Sequence, residues 1–269
     1  MEEVSAMTPV IETRNVTKTF VTDGGKTFQA LAGIDLTIRE KEFVCVLGPS
    51  GCGKSTWLRI VAGLEKPTSG AVQFRGRDIT GPSRERGMVF QEYSLFPWRN
   101  VLENVALGPE FSGMNAERRK ALAMDYLVRV GLEKFAHVKP HELSGGMRQR
   151  AAIARALAND PEVLLMDEPF GALDAHTRVL LQKELLRIWE QDRKTVVFVT
   201  HSVDEALYLA DRVVVLSAHP GRVLKDLVIP FERPRSRSCH GFGEMTEIIF
   251  DLLDQPQECE RCAEQPSGM

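Results

Sequence analysis

The sequence has few of the features that define several common classes of protein. It contains 5 cysteines among 269 residues, and a small odd number of cysteines does not form a disulfide framework. No uninterrupted apolar run approaches the roughly 20 residues of a membrane-spanning helix. The first ten residues, MEEVSAMTPV, contain no apolar signal region. We therefore expect the chain to remain in a reducing, cytosolic compartment.

Charge of one sign is also not in large excess. The formal net charge is −3, which offers no general argument for binding nucleic acid. Local basic clusters do occur, and RPRSR at 233–237 is the clearest of them. Clusters of this kind are most often solvated, so we expect these arginines to face water.

The pattern of apolar residues predicts strands near the N-terminus and a strand, loop and helix after them. VIETRNV and LAGIDLTI are rich in β-branched residues and flank the turn TDGGKT, which predicts antiparallel strands. EFVCVLG reads as a buried strand that ends in glycine, and KSTWLRIVAGL has helical spacing. Residues 100–131 predict helix, and helix dominates to about Asn159.

From residue 160 onward strands and helices alternate. EVLLMDE, TVVFVT and RVVVLS are predicted strands, separated by helices from about His176 to Gln191 and from Val203 to Ala210. Such alternation indicates a parallel sheet covered on both faces. A further helix is predicted over about 243–255, followed by a frayed end.

GPSGCGKST matches the phosphate-loop pattern between a predicted strand and a predicted helix. Glycines allow backbone N–H groups to approach phosphate oxygens, and the helix N-terminus adds partial positive charge. The lysine reaches the β- and γ-phosphates and the serine hydroxyl supplies a ligand for Mg²⁺. The predicted nucleotide-binding residues are Gly48, Pro49, Ser50, Gly51, Cys52, Gly53, Lys54, Ser55 and Thr56.

Other candidate residues follow predicted strands, at the edge of the sheet where ligands bind in open parallel sheets. Asp167 ends VLLMD and is a candidate to hold magnesium. Glu168 points elsewhere by strand alternation and is a candidate general base on the attacking water. Gln91 follows GMVF, and His201 follows TVVFVT. Each of these motifs alone also fits a purely structural role.

In order and spacing, GPSGCGKST, Gln91, LSGGMRQR, VLLMDEP, ALD at 172–174 and His201 resemble the motif series of an ATP-binding cassette (ABC) ATPase. The resemblance covers about residues 10–230. It implies an α/β fold with a RecA-like parallel-sheet core, an antiparallel β subdomain and an α-helical subdomain at about 92–158. The ATPase domain would span 1–230. Residues 231–269 would form a C-terminal extension with one helix and a flexible tail that contains cysteines.

The resemblance also implies roles for individual residues. ATP and Mg²⁺ are the expected cofactors, with Ser55, Gln91 and Asp167 near the metal, Glu168 as base and His201 sensing the γ-phosphate. In this family two cassettes pair head to tail around ATP. The residues that would act across that interface are Ser144, Gly145, Gly146 and Asp174. Phe20 takes the place of the aromatic residue that stacks on adenine, where the family more often has tyrosine, and it is also compatible with strand core.

Among transporters, GMVFQEYSLFPWRNVLENVALG, MDEPFGALDAHTR and VTHSVDEALYLADRVVVLS are similar to the ATPases of nitrate, sulfonate and taurine importers. This implies an ATP hydrolase that powers import of a small anion and works as a homodimer at the cytoplasmic face of the membrane. Its partners would be separate permease subunits and, indirectly, a substrate-binding protein. EYSLFPWRN at 92–100 would line the cleft for the permease, although its aromatic residues also fit a core.

Alternative functions are open at this point. They are an ABC ATPase of another transport system, such as lipoprotein release or other export, an ABC ATPase that acts on nucleic acid or ribosomes, and a monomeric phosphate-loop kinase, which needs no LSGG. No nucleic acid is expected, because the chain has one cassette and no long coiled coil. One departure from the importer ATPases is a set of four potential zinc ligands by residue type, Cys239, His240, Cys259 and Cys262. A tail without metal is the competing interpretation.

Overall fold

The computed structural model describes residues 8–22 and 24–254. Cys259, Cys262 and the predicted tail lie outside the described residues. In chain order the described strands and α-helices are β1 (Pro9–Val21), β2 (Thr27–Arg39), β3 (Phe43–Leu47), α1 (Lys54–Ala62), β4 (Ser69–Phe74), β5 (Arg77–Asp78), β6 (Arg86–Val89), α2 (Val101–Val105), α3 (Leu107–Phe111), α4 (Ala116–Arg129), α5 (Gly145–Leu157), β7 (Val163–Asp167), α6 (Ala175–Asp192), β8 (Thr195–Thr200), α7 (Val203–Leu209), β9 (Arg212–Leu216), β10 (Val223–Val228) and α8 (His240–Asp254).

The N-terminal strands form a four-stranded antiparallel sheet in the order β2-β1-β4-β5. β1 and β2 form a long hairpin that begins with the pair Pro9–Arg39 and ends with the pair Val21–Thr27. The two antiparallel strands predicted from the sequence are therefore confirmed. β4 and β5 extend the sheet beyond that predicted pair.

A second sheet of six strands has the order β10-β9-β3-β8-β7-β6. The strands from β9 to β6 are parallel, and β10 pairs antiparallel with β9 at one edge. Every residue of β3, β7, β8 and β9 is buried. Continuous burial is expected for parallel strands that are covered on both faces. The carboxyl ends of these parallel strands therefore meet at a single edge of the sheet.

The prediction of one helical stretch over 100–131 is wrong, because the segment forms three separate helices. α2 ends at Val105, and α3 is a single short helix that ends before Gly113, whose φ is +77°. Asn115 then begins α4 by accepting a hydrogen bond from the backbone N–H of Arg118 at 2.9 Å. Glycine in a left-handed conformation followed by an asparagine cap is a common way to end one helix and begin another.

The core has two layers, one on each face of the parallel sheet. Val44 and Val46 of β3 pack with the antiparallel sheet and with Trp57 of α1. Phe43, Cys45 and Leu47 point to the opposite face and belong to the layer built from the helices. Because successive side chains of β3 point to opposite faces of the sheet, this one strand contributes to both layers.

The C-terminal helix is confirmed, and it begins at His240, three residues before the predicted start. It buries Phe242 and Ile249 against the body of the protein. The prediction that RPRSR at 233–237 faces solvent is wrong. Arg235 is only 7% exposed, because it donates hydrogen bonds to the backbone carbonyls of Leu207 and Ala210.

Candidate functional site

The phosphate loop, residues 48–56, connects the buried strand β3 to α1. Two of its glycines are needed for their backbone conformation. Gly51 and Gly53 have φ values of +79° and +95°, which side chains with a Cβ rarely adopt. A Cβ at Gly53 would also lie 2.6 Å from Cδ2 of Leu31. The loop therefore keeps its shape only with glycine at these positions, and α1 begins at Lys54, directly after Gly53.

Lys54 is 3% exposed and folds back into the loop. Its Nζ donates hydrogen bonds to the carbonyl oxygens of Gly48 at 2.8 Å and Pro49 at 2.9 Å. The same Nζ lies 3.8 Å from Oε1 of Glu168. An anion in the loop would compete with these carbonyls for the ammonium group, and a phosphate has the negative charge to do so.

Ser55 and Asp167 place two hard oxygen donors together. Ser55 Oγ donates a hydrogen bond of 2.6 Å to Oδ1 of Asp167, which is 2% exposed. Burial raises the pKa of Asp167, while the hydrogen bond from Ser55 opposes that shift. A hydroxyl and a buried carboxylate of this kind match the oxygen ligands that Mg²⁺ prefers. The donor set therefore fits magnesium.

Glu168 and His201 complete this edge of the site. Glu168 has a φ of +41°, a strained value for a residue other than glycine. Its Oε2 lies 2.8 Å from Nδ1 of His201. Asp167 and Glu168 thus have different partners, as strand alternation predicts, but the left-handed turn keeps both side chains at the same edge.

Strand register accounts for how these residues meet. In the parallel sheet Leu47 pairs with Thr200. The phosphate loop follows Leu47 and His201 follows Thr200, so both begin at neighbouring points on the same edge of the sheet. Asp167 pairs with Val199, one strand further along. Val89 pairs with Met166, so Gln91 and Glu168 each follow this pair by two residues and lie at the same edge of the sheet. Gln91 is exposed at this edge.

The remaining predicted residues form a second location. Ser144 caps α5 by accepting a hydrogen bond from the backbone N–H of Met147 at 3.3 Å. Asp174 caps α6 by accepting one from the backbone N–H of Thr177 at 2.9 Å, and that bond lowers the pKa of Asp174. Within residues 8–22 and 24–254, no hydrogen bond or ion pair joins either residue to the phosphate loop.

The glycines of this second location allow close packing. A Cβ at Gly146 would lie 2.8 Å from Cγ2 of Thr177, so the glycine brings α5 against the first turn of α6. A Cβ at Gly145 would lie 3.3 Å from both Cδ2 of Leu173 and the hydroxyl of Tyr93. The α5 N-terminus and the capped start of α6 are therefore held as one unit.

The aromatic candidate Phe20 lies at the end of β1 and is 38% exposed, with Lys18 Nζ 4.9 Å from its ring centroid. Two further aromatic residues lie near this end of the hairpin. Phe28 pairs with Phe20 across the hairpin, and its ring centroid lies 5.5 Å from that of His219. A Cβ at Gly51 would lie 3.0 Å from the His219 ring, so His219 borders the phosphate loop. The hairpin register would have indicated Phe28, whereas no local pattern indicates His219.

The segment at 92–100 divides between core and surface. Tyr93 and Leu95 pack against the helical layer of the core. Arg155 of α5 holds the segment by donating to the carbonyl oxygens of Tyr93 and Ser94. Trp98 is 68% exposed. The core interpretation therefore holds for Tyr93 and Leu95, whereas Trp98 lies at the surface.

The four-residue zinc hypothesis receives no support from its described half. Cys239 is exposed, and His240 Nε2 lies 3.2 Å from Oε1 of Glu244. In the part of the chain that the structure describes, no group of three or more His, Cys, Asp or Glu side chains is placed to hold a metal ion. Among the described helices none combines the length and apolar character needed to cross a membrane.

Comparisons with known proteins agree with the motif series. Residues 31–171, just over half of the chain, match the family model described as ABC transporter. An uncharacterized ABC transporter ATP-binding protein of Methanocaldococcus jannaschii is 53% identical, over 90% of this chain and 91% of that protein. A taurine import ATP-binding protein of Jannaschia sp. is 48% identical over 81% of each chain. A bicarbonate transport ATP-binding protein of Synechocystis sp. is 48% identical over 86% of this chain and 82% of its own length.

Solved structures agree as well. A dimeric ATP-binding cassette in a post-hydrolysis state, bound to ADP and Pi, superposes with a TM-score of 0.73 at 38% identity. The match covers 82% of this chain and 100% of that structure. The predicted α/β cassette fold is therefore confirmed.

Proposed function

This chain belongs to the ABC transporter family, and on that premise we propose that it is the ATP-hydrolysing subunit that powers import of a small anion through a separate membrane permease. The observation that carries the proposal is the meeting of Lys54, Glu168 and His201 beside the Ser55–Asp167 pair. This arrangement supports a site in which Lys54 would bind phosphate, Glu168 would act as base and the Ser55–Asp167 pair would hold the metal.

In this proposal the phosphate loop holds the β- and γ-phosphates, with Lys54 moving its hydrogen bonds from backbone carbonyls to phosphate oxygens. Mg²⁺ would be held by Ser55 and Asp167, with Gln91 at the same edge, and it supplies positive charge that stabilises the negative charge of the phosphate oxygens. Phe20 would stack on the base of the nucleotide.

Glu168 acts as general base in this proposal. It accepts a proton from the water that attacks the γ-phosphate, and its left-handed backbone fixes where the carboxylate points. His201, hydrogen-bonded to Glu168, can orient that carboxylate and contact the γ-phosphate. The two roles share one hydrogen bond, so both residues have to adjust when ATP binds.

The second location is proposed to act on the ATP of a second copy of this chain. Ser144, Gly145, Gly146 and Asp174 lie on capped helix starts and have no bond to the phosphate loop of their own chain within the described residues. The helix N-terminus of α5 would face the γ-phosphate across the interface. ATP would then stabilise the dimer, and its hydrolysis would release the two chains. The similar solved cassette is a dimer that contains ADP and Pi.

The transported molecule is proposed to be a small oxyanion or sulfonate. Two relatives are named for molecules of this class, taurine and bicarbonate. Selectivity would lie in the permease and in a substrate-binding protein. The exposed Trp98 is proposed to take part in docking the permease at the cytoplasmic face of the membrane.

Affinity purification of the full chain from solubilised membranes of its host tests the transport function. We expect a protein with several membrane spans to copurify, and deletion of the chain to abolish uptake of labelled taurine, bicarbonate or nitrate. The Trp98→Ala variant should retain less of the permease than Phe135→Ala, which removes a 40% exposed aromatic side chain elsewhere. Copurification of ribosomes or nucleic acid without a membrane protein would contradict the proposal.

A further inference from the structure

The C-terminal extension contacts the body of the protein through three arginines placed two residues apart. Arg233 forms an ion pair with Asp211, just after α7. Arg235 donates to the carbonyl oxygens of Leu207 and Ala210, at the C-terminal end of α7. Cations at this end of a helix are favourable because the last carbonyls carry partial negative charge. These two arginines therefore attach the extension to the end of α7 that is farther from His201.

Arg237 reaches the other end of α7. Its Nε lies 2.5 Å from Oδ1 of Asp204, and one of its terminal nitrogens donates to Oδ2 of the same carboxylate at 2.9 Å. The guanidinium carbon lies 4.0 Å from the ring centroid of Tyr208. That terminal nitrogen also donates to Oε1 of Gln182, on α6, at 2.5 Å. Arg237 thus joins the extension to α6 and to the first turn of α7, which begins two residues after His201.

Gln182 continues the connection inward. The side chain is fully buried, and its Nε2 donates to Oε1 of Glu205 at 3.5 Å. A guanidinium only donates hydrogen bonds and an ionised carboxylate only accepts them. Only one orientation of the amide therefore satisfies both neighbours. Arg237 fixes that orientation, because it holds the amide oxygen and leaves the amide nitrogen to face Glu205.

Glu205 connects this amide to the turn that carries His201. It is 3% exposed, and Thr200 Oγ1 donates to its Oε2 at 2.5 Å. Thr200 Oγ1 also accepts the backbone N–H of Ser202 at 3.0 Å. The residues on both sides of His201 are therefore held by the carboxylate of Glu205, directly or through Thr200. Arg178 Nε, 3.7 Å away, is a further cation beside this carboxylate.

We propose that Arg237 is a positioning residue for His201, and that it acts through Gln182 and Glu205. The inference rests on the proposed function, because it takes His201 to contact the γ-phosphate and to orient Glu168. The C-terminal extension then has a role in hydrolysis: it fixes the buried amide that holds the turn between β8 and α7. Loss of Arg237 frees Gln182 to rotate, and Glu205 loses one of its donors.

The experiment compares the full-length Arg237→Met variant with Arg233→Met as a matched control. Both changes remove a guanidinium from the same segment, and only Arg237 contacts Gln182. We expect Arg237→Met to lower kcat for ATP hydrolysis about tenfold, with KM for ATP within about twofold, because misplacement of a group at the reacting centre costs rate more than binding. Arg233→Met should leave kcat unchanged. A lowered melting temperature with unchanged kcat in Arg237→Met would overturn the inference.

A second variant keeps the extension attached. Gln182→Glu retains an acceptor for Arg237 but replaces the donor that faces Glu205 with another acceptor. We expect kcat to fall in this variant as well, while limited proteolysis shows the extension as resistant as in the unaltered protein. Unchanged kcat in a folded Gln182→Glu variant would contradict a connection through the amide.

The decisive measurement combines Arg237→Met with His201→Ala. If Arg237 acts through His201, the double variant hydrolyses ATP at the rate of His201→Ala alone. A further tenfold loss in the double variant would overturn the inference and leave the proposed function intact. If His201→Ala alone hydrolyses ATP at the normal rate, the role proposed for His201 is itself wrong.

Discussion

Glu168 Oε2 and His201 Nδ1 lie 2.8 Å apart, although the two residues are 33 positions apart in the sequence. Each follows the carboxyl end of a parallel strand, and the two strands are neighbours in the sheet. The contact gives the carboxylate a defined orientation. In the proposed site both side chains also lie near the γ-phosphate position.

The Glu168→Gln variant is expected to bind ATP but to lose about 10² to 10⁴ in turnover, the usual contribution of a general base. The amide retains the shape of the side chain and a hydrogen bond to His201, so the site should remain folded. Nucleotide affinity and steady-state hydrolysis measure the two effects separately. Glu190→Gln, on the exposed face of α6, serves as the control and should hydrolyse ATP normally. Near-normal hydrolysis by Glu168→Gln would rule out Glu168 as base.

Lys54→Ala is expected to weaken ATP binding itself, by about 10-fold to 100-fold, because charge-assisted hydrogen bonds to phosphate are among the strong ones. The change also removes the two bonds from Nζ to the carbonyls of Gly48 and Pro49. Titration calorimetry with ATP measures the loss, and Lys183→Ala on the exposed face of α6 provides the comparison. Retained nucleotide affinity in Lys54→Ala would count against its role.

Ser144→Arg is expected to bind ATP and to remain monomeric. Ser144 is exposed and caps α5, so a long cationic side chain fits in the free monomer but obstructs a surface pressed against a second chain. Losing the cap should cost about 1 kcal/mol of stability, which the fold can tolerate. Light scattering with Glu168→Gln in the background, where ATP persists, reports the dimer. An ATP-dependent dimer of the Ser144→Arg variant would exclude the two-chain site.

Much of the site could be predicted from the sequence because its signals are local. The phosphate loop requires glycines at fixed spacing, and strands that end in Asp167 or precede His201 are read from apolar runs. The orientation of Glu168 could not be predicted in full. Alternation separates it from Asp167, but its left-handed backbone depends on a hydrogen bond from its N–H to the carbonyl of Val199, in the neighbouring strand.

The arginines at 233–237 show the limit of local patterns. A basic cluster at the end of a domain predicts solvent exposure of its side chains, because most such clusters have no partner nearby in sequence. Here the partner of Arg237 on α6 is 55 residues earlier, and that of Arg235 on α7 is 28 residues earlier. Only the packing of the last segment against α7 brings them together. His219 lies against Gly51 for the same kind of reason.

Gly146→Ala is expected to lower the free energy of unfolding by about 1–3 kcal/mol, the usual cost of overpacking. The added Cβ would lie 2.8 Å from Cγ2 of Thr177, so either the Thr177 side chain or the two helices have to shift. Gly243→Ala is the matched control, because it lies in α8 and no atom lies within 4 Å of the added Cβ. That control should be neutral or stabilising by up to about 1 kcal/mol, since alanine favours helix over glycine. Equal melting temperatures for the two variants would contradict close packing at Gly146.

Glu205 leads to a prediction about pH. Burial raises the pKa of this carboxyl, and the hydrogen bond from Thr200 together with the nearby Arg178 and His201 only partly offsets the shift. The folded state then holds the proton more tightly than the unfolded state. Its contribution is fully present below the unfolded pKa, about 4.3, and is lost as pH rises through the raised folded value.

Glu205→Gln should therefore remove one component of the decline in stability on going from acid toward neutral pH. The glutamine is uncharged throughout, and its carbonyl can still accept the hydrogen bond from Thr200. Denaturant unfolding of both proteins at several pH values between about 4 and 8 measures the difference. The stability of Glu205→Gln relative to the unaltered chain should increase as pH rises through this range. A difference that is constant with pH would mean that Glu205 has the same proton affinity in the folded and unfolded chain.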